Sequence, residues 1–176
     1  GNYLTHKKFP YKGLAVARMT AHVTYLSETS LAEKFGRNLQ DKQDKKDFSY
    51  AFDPDFQVES YLNHQGITFV DRFDANSYLY ITRAMDYFDL EAEYNGNLSE
   101  AFTNAQNNKF CVISFSDDWL FPTSEARKIT QSLNIIGINV SFIEINSNRG
   151  HDSFLLPNDE FAKTLKGFLE INYQEL

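Results

Sequence analysis

Two short loops of this chain hold residue types from which a proton-transfer site can be built. The first, Ser114-Phe115-Ser116-Asp117-Asp118-Trp119-Leu120-Phe121-Pro122, sets two adjacent carboxylates just past an apolar run. The second, Asn146-Ser147-Asn148-Arg149-Gly150-His151-Asp152-Ser153-Phe154-Leu155, sets a histidine past another apolar run, with Gly150 beside it to let the backbone approach closely. An aspartate that accepts a hydrogen bond from an imidazole fixes the tautomer of the ring and stabilises its charged form, which makes the histidine a general base. Against this stands the plainer reading, since a loop aspartate is more often a helix cap or a solvated charge, and a loop histidine is more often exposed than catalytic. The place of the two loops in the fold decides between these readings.

That place follows from the flanking elements. Residues 109–115 form a short continuous apolar run of strand type, and Val140-Ser141-Phe142-Ile143-Glu144-Ile145 forms a second. Between them residues 123–133 carry a capping Thr or Ser, Glu125 in the first turn and helical spacing, and residues 158–169 repeat the pattern after Pro157. The order strand, helix, strand, helix predicts a right-handed βαβ unit with parallel strands, and ligand chemistry collects at the carboxyl ends of such strands. Both loops lie there. Two strands cannot bury both faces of a sheet, so the sheet is expected to continue in a segment outside these 176 residues. Residues 13–90 read differently: Leu14, Ala17, Arg18, Ala21 and Tyr25, and again Val58, Tyr61, Leu62 and Gln65, recur at helical spacing and predict three or four helices. The polar run 41–47 reads as a charged loop, Asp53-Pro54 as a helix start, and Asp74-Ala75-Asn76-Ser77 as the cap of the next helix. Residues 95–108, rich in Asn, Ser and Gly, read as a connection between two layers. The organisation expected is a helical region over 1–105 and an α/β region over 106–176.

The totals narrow the partners. With 42% hydrophobic and 15% aromatic residues the chain can bury one sizeable core. Seventeen basic against 24 acidic residues give a net charge of −7, which argues against nucleic acid and against an anionic membrane surface, leaving a small molecule or a protein. The single cysteine, Cys111, lies in the apolar run Phe110-Cys111-Val112-Ile113, so a disulfide scaffold is excluded and a cytoplasmic setting is the default expectation. No apolar stretch approaches the roughly 20 residues that cross a bilayer, and the first residues have neither the basic start nor the apolar core of a signal peptide.

In α/β hydrolases the catalytic residues run Ser, then Asp or Glu, then His along the chain, the last two after late strands. Asp118 and His151 follow that order, whereas no G-x-S-x-G nucleophile elbow occurs in the sequence, so the serine is expected to precede residue 1. Several longer segments point to one family. Gly13-Leu14-Ala15-Val16-Ala17-Arg18-Met19, Thr24-Tyr25-Leu26-Ser27 and Lys34-Phe35-Gly36-Arg37 resemble the lid region of homoserine O-acetyltransferases. Residues 52–63 resemble the family's F-x-V-E-S-Y-L stretch, and Phe73-Asp74-Ala75-Asn76-Ser77-Tyr78-Leu79 resembles its F-D-A-N-S-Y-L. The Asp-Trp-Leu-Phe-Pro and Gly-His-Asp-Ser-Phe-Leu runs resemble its two triad loops, and the likeness covers nearly the whole chain.

The resemblance implies the C-terminal part of an α/β-hydrolase fold with a helical lid. It implies acetyl transfer from acetyl-CoA, as co-substrate with no bound cofactor or metal, to the hydroxyl of L-homoserine early in methionine biosynthesis, through an acyl-serine. By carry-over Asp118, directly before Trp119, resembles the triad acid, with Asp117 as a loop or capping carboxylate, and His151 resembles the base. Asp152 resembles the position that binds the amino group of homoserine, and Arg18, on the lid, the position that pairs with its carboxylate; a guanidinium fits a carboxylate in two prongs. Arg37 and Arg149 receive no such role. The aromatic residues Tyr25, Tyr61, Tyr78, Tyr80, Tyr87 and Phe88 read as lid and core packing, some lining a tunnel, and exposed ones as part of a homodimer interface through the lid helices. Two other readings stay open: the same scaffold with succinyl-CoA as donor or serine as acceptor, and a non-catalytic interaction module. The isolated chain is expected to be inactive for want of the nucleophile.

Overall fold

The structure, a computed structural model, describes residues 2–40, 50 and 52–173; the charged run read as a loop at 41–47 lies outside the described residues. By their contacts the residues form two compact units, one of residues 1–24 and 28–87, the other of residues 25–27 and 88–176.

The first unit is helical: α1 (Tyr3–His6), α2 (Tyr11–Tyr25), α3 (Glu28–Lys34), α4 (Gln57–Val70) and α5 (Ala75–Tyr87). Its extra helix relative to expectation is α1, whose four residues are too few to show a helical period. Asp53-Pro54 does not start α4. The helix begins at Gln57, because the Glu59 carboxylate folds back to accept the N–H groups of Asp55 and Phe56, both at 2.9 Å, which satisfies the first turn from inside the helix. Asp74 does cap α5, its Oδ1 accepting the Ser77 N–H at 2.8 Å, while its Oδ2 accepts the Tyr3 hydroxyl and so ties α1 to the start of α5. The Tyr3 hydroxyl, followed by the Ser77 N–H, holds the Asp74 carboxyl below its ordinary value, and the same bond raises the Tyr3 phenol. Helices α2 and α4 approach closely at Gly66, where a Cβ would stand 2.8 Å from Met19 Cε and 3.0 Å from the Ala15 carbonyl oxygen. No helix among the described residues is long and apolar enough to cross a membrane.

The second unit contains α6 (Leu90–Glu93), α7 (Leu98–Ala101), a 3-10 turn over Thr103–Ala105, β1 (Phe110–Phe115), α8 (Thr123–Ile135), β2 (Val140–Ile145), a 3-10 segment over Gly150–Leu155 and α9 (Asp159–Tyr173). The stretch read as a bare connection, 95–108, thus holds α7 and a 3-10 turn, and its contacts are with the sheet unit. The two strands pair in parallel, in a register running from Phe110 opposite Val140 to Phe115 opposite Ile145. Their β-branched and aromatic side chains suit a pleated surface. Helix α8, which connects them, packs on both and buries Leu133 completely; Phe115, Ile138 and Ile145 are buried with it. Each such aliphatic side chain contributes about 1.5–3 kcal/mol by leaving water. Thr123 opens α8 but does not cap it: its hydroxyl lies 3.0 Å from Ser114 Oγ and 3.2 Å from Glu144 Oε1, and Pro122 stands at the cap position. Glu144 also accepts from Arg127 at 2.8 Å, which joins the helix to the C-terminal end of β2. Helix α9 is capped as expected, with Asn158 Oδ1 accepting the Phe161 N–H at 2.9 Å, and it runs on to Tyr173.

Candidate active site

Because β1 and β2 are parallel neighbours in register, the segments leaving Phe115 and Ile145 emerge side by side. The ladder continues one step further, with the Ser116 N–H donating to the Ile145 carbonyl at 3.0 Å. Beyond it the first loop turns back tightly: the Asp118 N–H donates to the Phe115 carbonyl at 3.1 Å, and Asp118 Oδ1 accepts the N–H groups of Leu120 and Phe121, both at 3.0 Å. This wraps the backbone around one carboxylate oxygen and leaves Oδ2 for a partner outside the loop.

That partner is His151, whose Nδ1 lies 2.9 Å from Asp118 Oδ2. The carboxylate is 8% exposed and the imidazole 21% exposed, so the pair is shielded on the acid side and accessible on the base side. With Oδ2 acting as acceptor, the proton sits on Nδ1 and the lone pair on Nε2, the tautomer a general base requires. Three aromatic rings surround the imidazole: Phe121 stacks on it at 5.0 Å between centroids, Tyr25 lies at 5.6 Å and Phe154 edge-on at 5.7 Å. They restrict the ring's rotation.

The base loop is held as closely. Gly150 adopts φ 72°, and a Cβ there would stand 2.7 Å from the Ser27 nitrogen, 2.7 Å from the Tyr25 carbonyl oxygen and 2.9 Å from the Leu26 carbonyl carbon. Glycine is needed twice over, for the left-handed backbone and for the close approach. The Ser27 hydroxyl donates to the Asn148 carbonyl. Ser153, 2% exposed, donates from its hydroxyl to the Gly150 carbonyl at 2.6 Å.

The structure brings Asp118 and His151 together and leaves Asp117 outside the contact, half-buried in the turn after β1. Asp152 follows His151 in the first turn of the 3-10 segment and is half-buried. Arg18 lies on α2 in the helical unit, half-buried, with its guanidinium 5.1 Å from the centre of the Phe69 ring. Tyr25, read as a lid aromatic, contacts His151 and groups with the sheet unit. Sequence reasoning missed the part played by Ser27, Ser147 and Ser153, because a serine in a polar loop carries no periodic signal. The only hint is that Ser153 falls within the apolar end of its loop, beside Phe154 and Leu155. No group of three or more His, Cys, Asp or Glu side chains among the described residues is placed to hold a metal ion.

No protein-family model matches the chain. Individual relatives do. The chain is 57% identical over 169 residues to a homoserine O-acetyltransferase of Mesorhizobium japonicum, an alignment covering 96% of this chain and 42% of the relative. It is 58% identical over 170 residues to that of Rhodospirillum rubrum, covering 97% and 42%, and 57% identical over 175 residues to that of Pelagibacter ubique, covering 99% and 46%. The chain belongs to the homoserine O-acetyltransferase family. It spans less than half the length of the family members it matches. Among solved structures it is similar to the family member of Bacillus anthracis, with a TM-score of 0.67 and 23% identity over 83% of this chain and 38% of that one. It is also similar to esterase E22, with a TM-score of 0.67 and 20% identity over 90% and 41%. Both likenesses show the α/β-hydrolase fold, of which this chain has the C-terminal part.

Proposed function

We propose that this chain is the part of a homoserine O-acetyltransferase that supplies the acid and the base of a Ser-Asp-His triad, with the nucleophilic serine carried by a segment outside these residues. The observation that carries the reading is the 2.9 Å contact between His151 Nδ1 and the buried Asp118, at the carboxyl ends of two parallel strands. In the proposed reaction His151 Nε2 takes the proton of the serine hydroxyl as its oxygen attacks the thioester carbonyl of acetyl-CoA. The tetrahedral adduct collapses, the C–S bond breaks, and the imidazolium returns the proton to the departing thiolate. In the second half His151 takes the proton of the homoserine hydroxyl as that oxygen attacks the acyl-serine, then returns it to the serine oxygen. Asp118 holds the ring and balances its charge throughout.

Arg18 as the partner of the homoserine carboxylate and Asp152 as the partner of its ammonium group rest on the motif resemblance, together with the chemical match of charges. The helical region, read in the sequence as 1–105, is proposed as the lid and as the site of homodimer contact. A cytoplasmic place early in methionine biosynthesis completes the proposal.

The test is thiol release measured with the full-length protein, acetyl-CoA or succinyl-CoA as donor, homoserine or serine as acceptor, and His151→Ala as control. Turnover of acetyl-CoA with homoserine that vanishes in the variant supports the reading. Activity with a different pair alone replaces the substrate and keeps the triad, and an absence of turnover with every pair refutes the catalytic reading.

A further inference from the structure

Resting on the reading of Asp118 and His151 as acid and base, we infer that Ser116, Ser147 and Ser153 form a hydroxyl network that sets the distance between them, with Ser147 and Ser153 as positioning residues. The network begins two residues before the acid. Ser116 Oγ accepts the Ser147 N–H at 3.1 Å and lies within donating distance of Asn146 Oδ1, 3.1 Å, and of the Ser147 carbonyl, 3.3 Å. It fastens the start of the acid loop to the start of the base loop. Ser147 Oγ in turn accepts the Arg149 N–H at 3.2 Å and lies 2.7 Å from Ser153 Oγ. The Ser153 hydroxyl donates its one proton to the Gly150 carbonyl at 2.6 Å, so in the short contact between the two serines Ser147 is the donor.

The chain of donors ends on the peptide that joins Gly150 to His151. Holding that carbonyl fixes the plane of the peptide and with it the position of the His151 Cα, from which the imidazole must reach Asp118. The acid and base loops are therefore joined twice, once through the 2.9 Å contact of the pair itself and once through three hydroxyls that never touch the imidazole. The second link matters because the pair alone cannot set its own geometry. An imidazole and a carboxylate in contact can slide and tilt together, and a displacement of about 1 Å is enough to cost roughly a hundredfold in rate. Ser153 is 2% exposed, so its hydroxyl adds to the backbone bonding of the 3-10 segment a hold on the Gly150 carbonyl that bulk water does not reach.

The experiment compares Ser153→Ala, Ser147→Ala and Ser147→Thr in the full-length protein, with Ser132→Ala as control. Ser132 is a buried serine on α8 whose hydroxyl donates to the Lys128 carbonyl at 2.9 Å, remote from the network in its bonding. Two quantities are read: kcat and KM in the thiol-release assay, and the downfield proton resonance of the His151 Nδ1–H bonded to Asp118. The two alanine variants are expected to lower kcat about 10- to 100-fold with KM changed by less than about twofold, and to shift or broaden the resonance. Ser147→Thr, which keeps the hydroxyl at a half-buried position, is expected to restore both, and Ser132→Ala to leave both unchanged. A folded Ser153→Ala or Ser147→Ala protein with the wild-type resonance overturns the inference, whether or not its kcat falls. So does a Ser132→Ala protein that loses the resonance as they do. If no donor and acceptor pair is turned over by the wild type, yet the alanine variants alone lose the resonance, the network stands and the acyl-transfer reading falls.

Discussion

Replacing Asp118 by asparagine separates the charge of the acid from its shape. The side chain accepts three bonds: Oδ1 from the N–H groups of Leu120 and Phe121 at 3.0 Å each, and Oδ2 from His151 Nδ1 at 2.9 Å. An asparagine can keep its own Oδ1 on the two backbone donors, because moving it would leave both unsatisfied in a site only 8% exposed. Its NH2 group then faces Nδ1, and two donors cannot bond. The imidazole must give up its Nδ1 proton and carry it on Nε2, the nitrogen that has to be unprotonated to act as a base. In a Ser-His-Asp triad this inversion lowers kcat about ten-thousand-fold, which at ~1.36 kcal/mol per tenfold is ~5.4 kcal/mol of lost transition-state stabilisation. Because the two backbone bonds survive, the folding temperature should stay close to that of the wild type, whereas Asp118→Ala would orphan both N–H groups at about 1–3 kcal/mol each and confuse stability with mechanism. Asp117→Asn, outside the contact, should change kcat by less than about threefold. Steady-state thiol release by the full-length protein, paired with a thermal melt, reads all of this. The reasoning is refuted if Asp118→Asn keeps kcat within tenfold of wild type, or if Asp117→Asn falls as far.

Two further expectations concern stability. At Gly150, φ 72° and a Cβ position 2.7 Å from two backbone atoms should make Gly150→Ala far more costly than Gly137→Ala, where φ is 76° but no atom lies within 4 Å; urea titration should give about 1–2 kcal/mol for the latter and clearly more for the former. The Asp74 carboxyl is held below its ordinary value of 3.8 chiefly by the Tyr3 hydroxyl. A depressed carboxyl contributes stability that is fully present above the unfolded value and is lost as pH falls through the folded one. Melting temperature should therefore drop more steeply below pH 3.8 in the wild type than in Tyr3→Phe, and parallel acid limbs would refute the coupling.

Much of the frame was legible from local pattern. The run Val140–Ile145 is a strand over its whole predicted length, and Phe110–Phe115 falls short of its predicted start by only one residue, because a continuous apolar run bounded by polar loops leaves little freedom of assignment. Asp74 and Asn158 cap their helices as read, each through its own side chain. Elements of three or four residues escaped: Tyr3–His6, Leu90–Glu93, Leu98–Ala101 and Thr103–Ala105 are each about one turn, and one turn has no period to detect. At Asp53-Pro54 a reasonable start signal lost to Glu59, which satisfies the same N–H groups from the other side of the helix start.

At the site the division runs along a different line. An aspartate of the first loop could be paired with His151 in advance because parallel neighbouring strands bring their ends together, and the resemblance of the residue before Trp119 to the family's acid chose Asp118 over Asp117. What holds them in place could not be read in this way, since it depends on contacts that no local pattern specifies. Ser27 donates to Asn148 across 121 positions, and Tyr25 stands against His151 although the sequence sets it at the end of a helix. Gly150 joins the two kinds of information. As a residue type it announced that some backbone would approach closely, but only the fold names that backbone as Tyr25–Ser27. The restraint therefore comes from a segment distant in sequence yet grouped by its contacts with the strands, and changes at Ser27 should reach the base through the loop rather than through the acid.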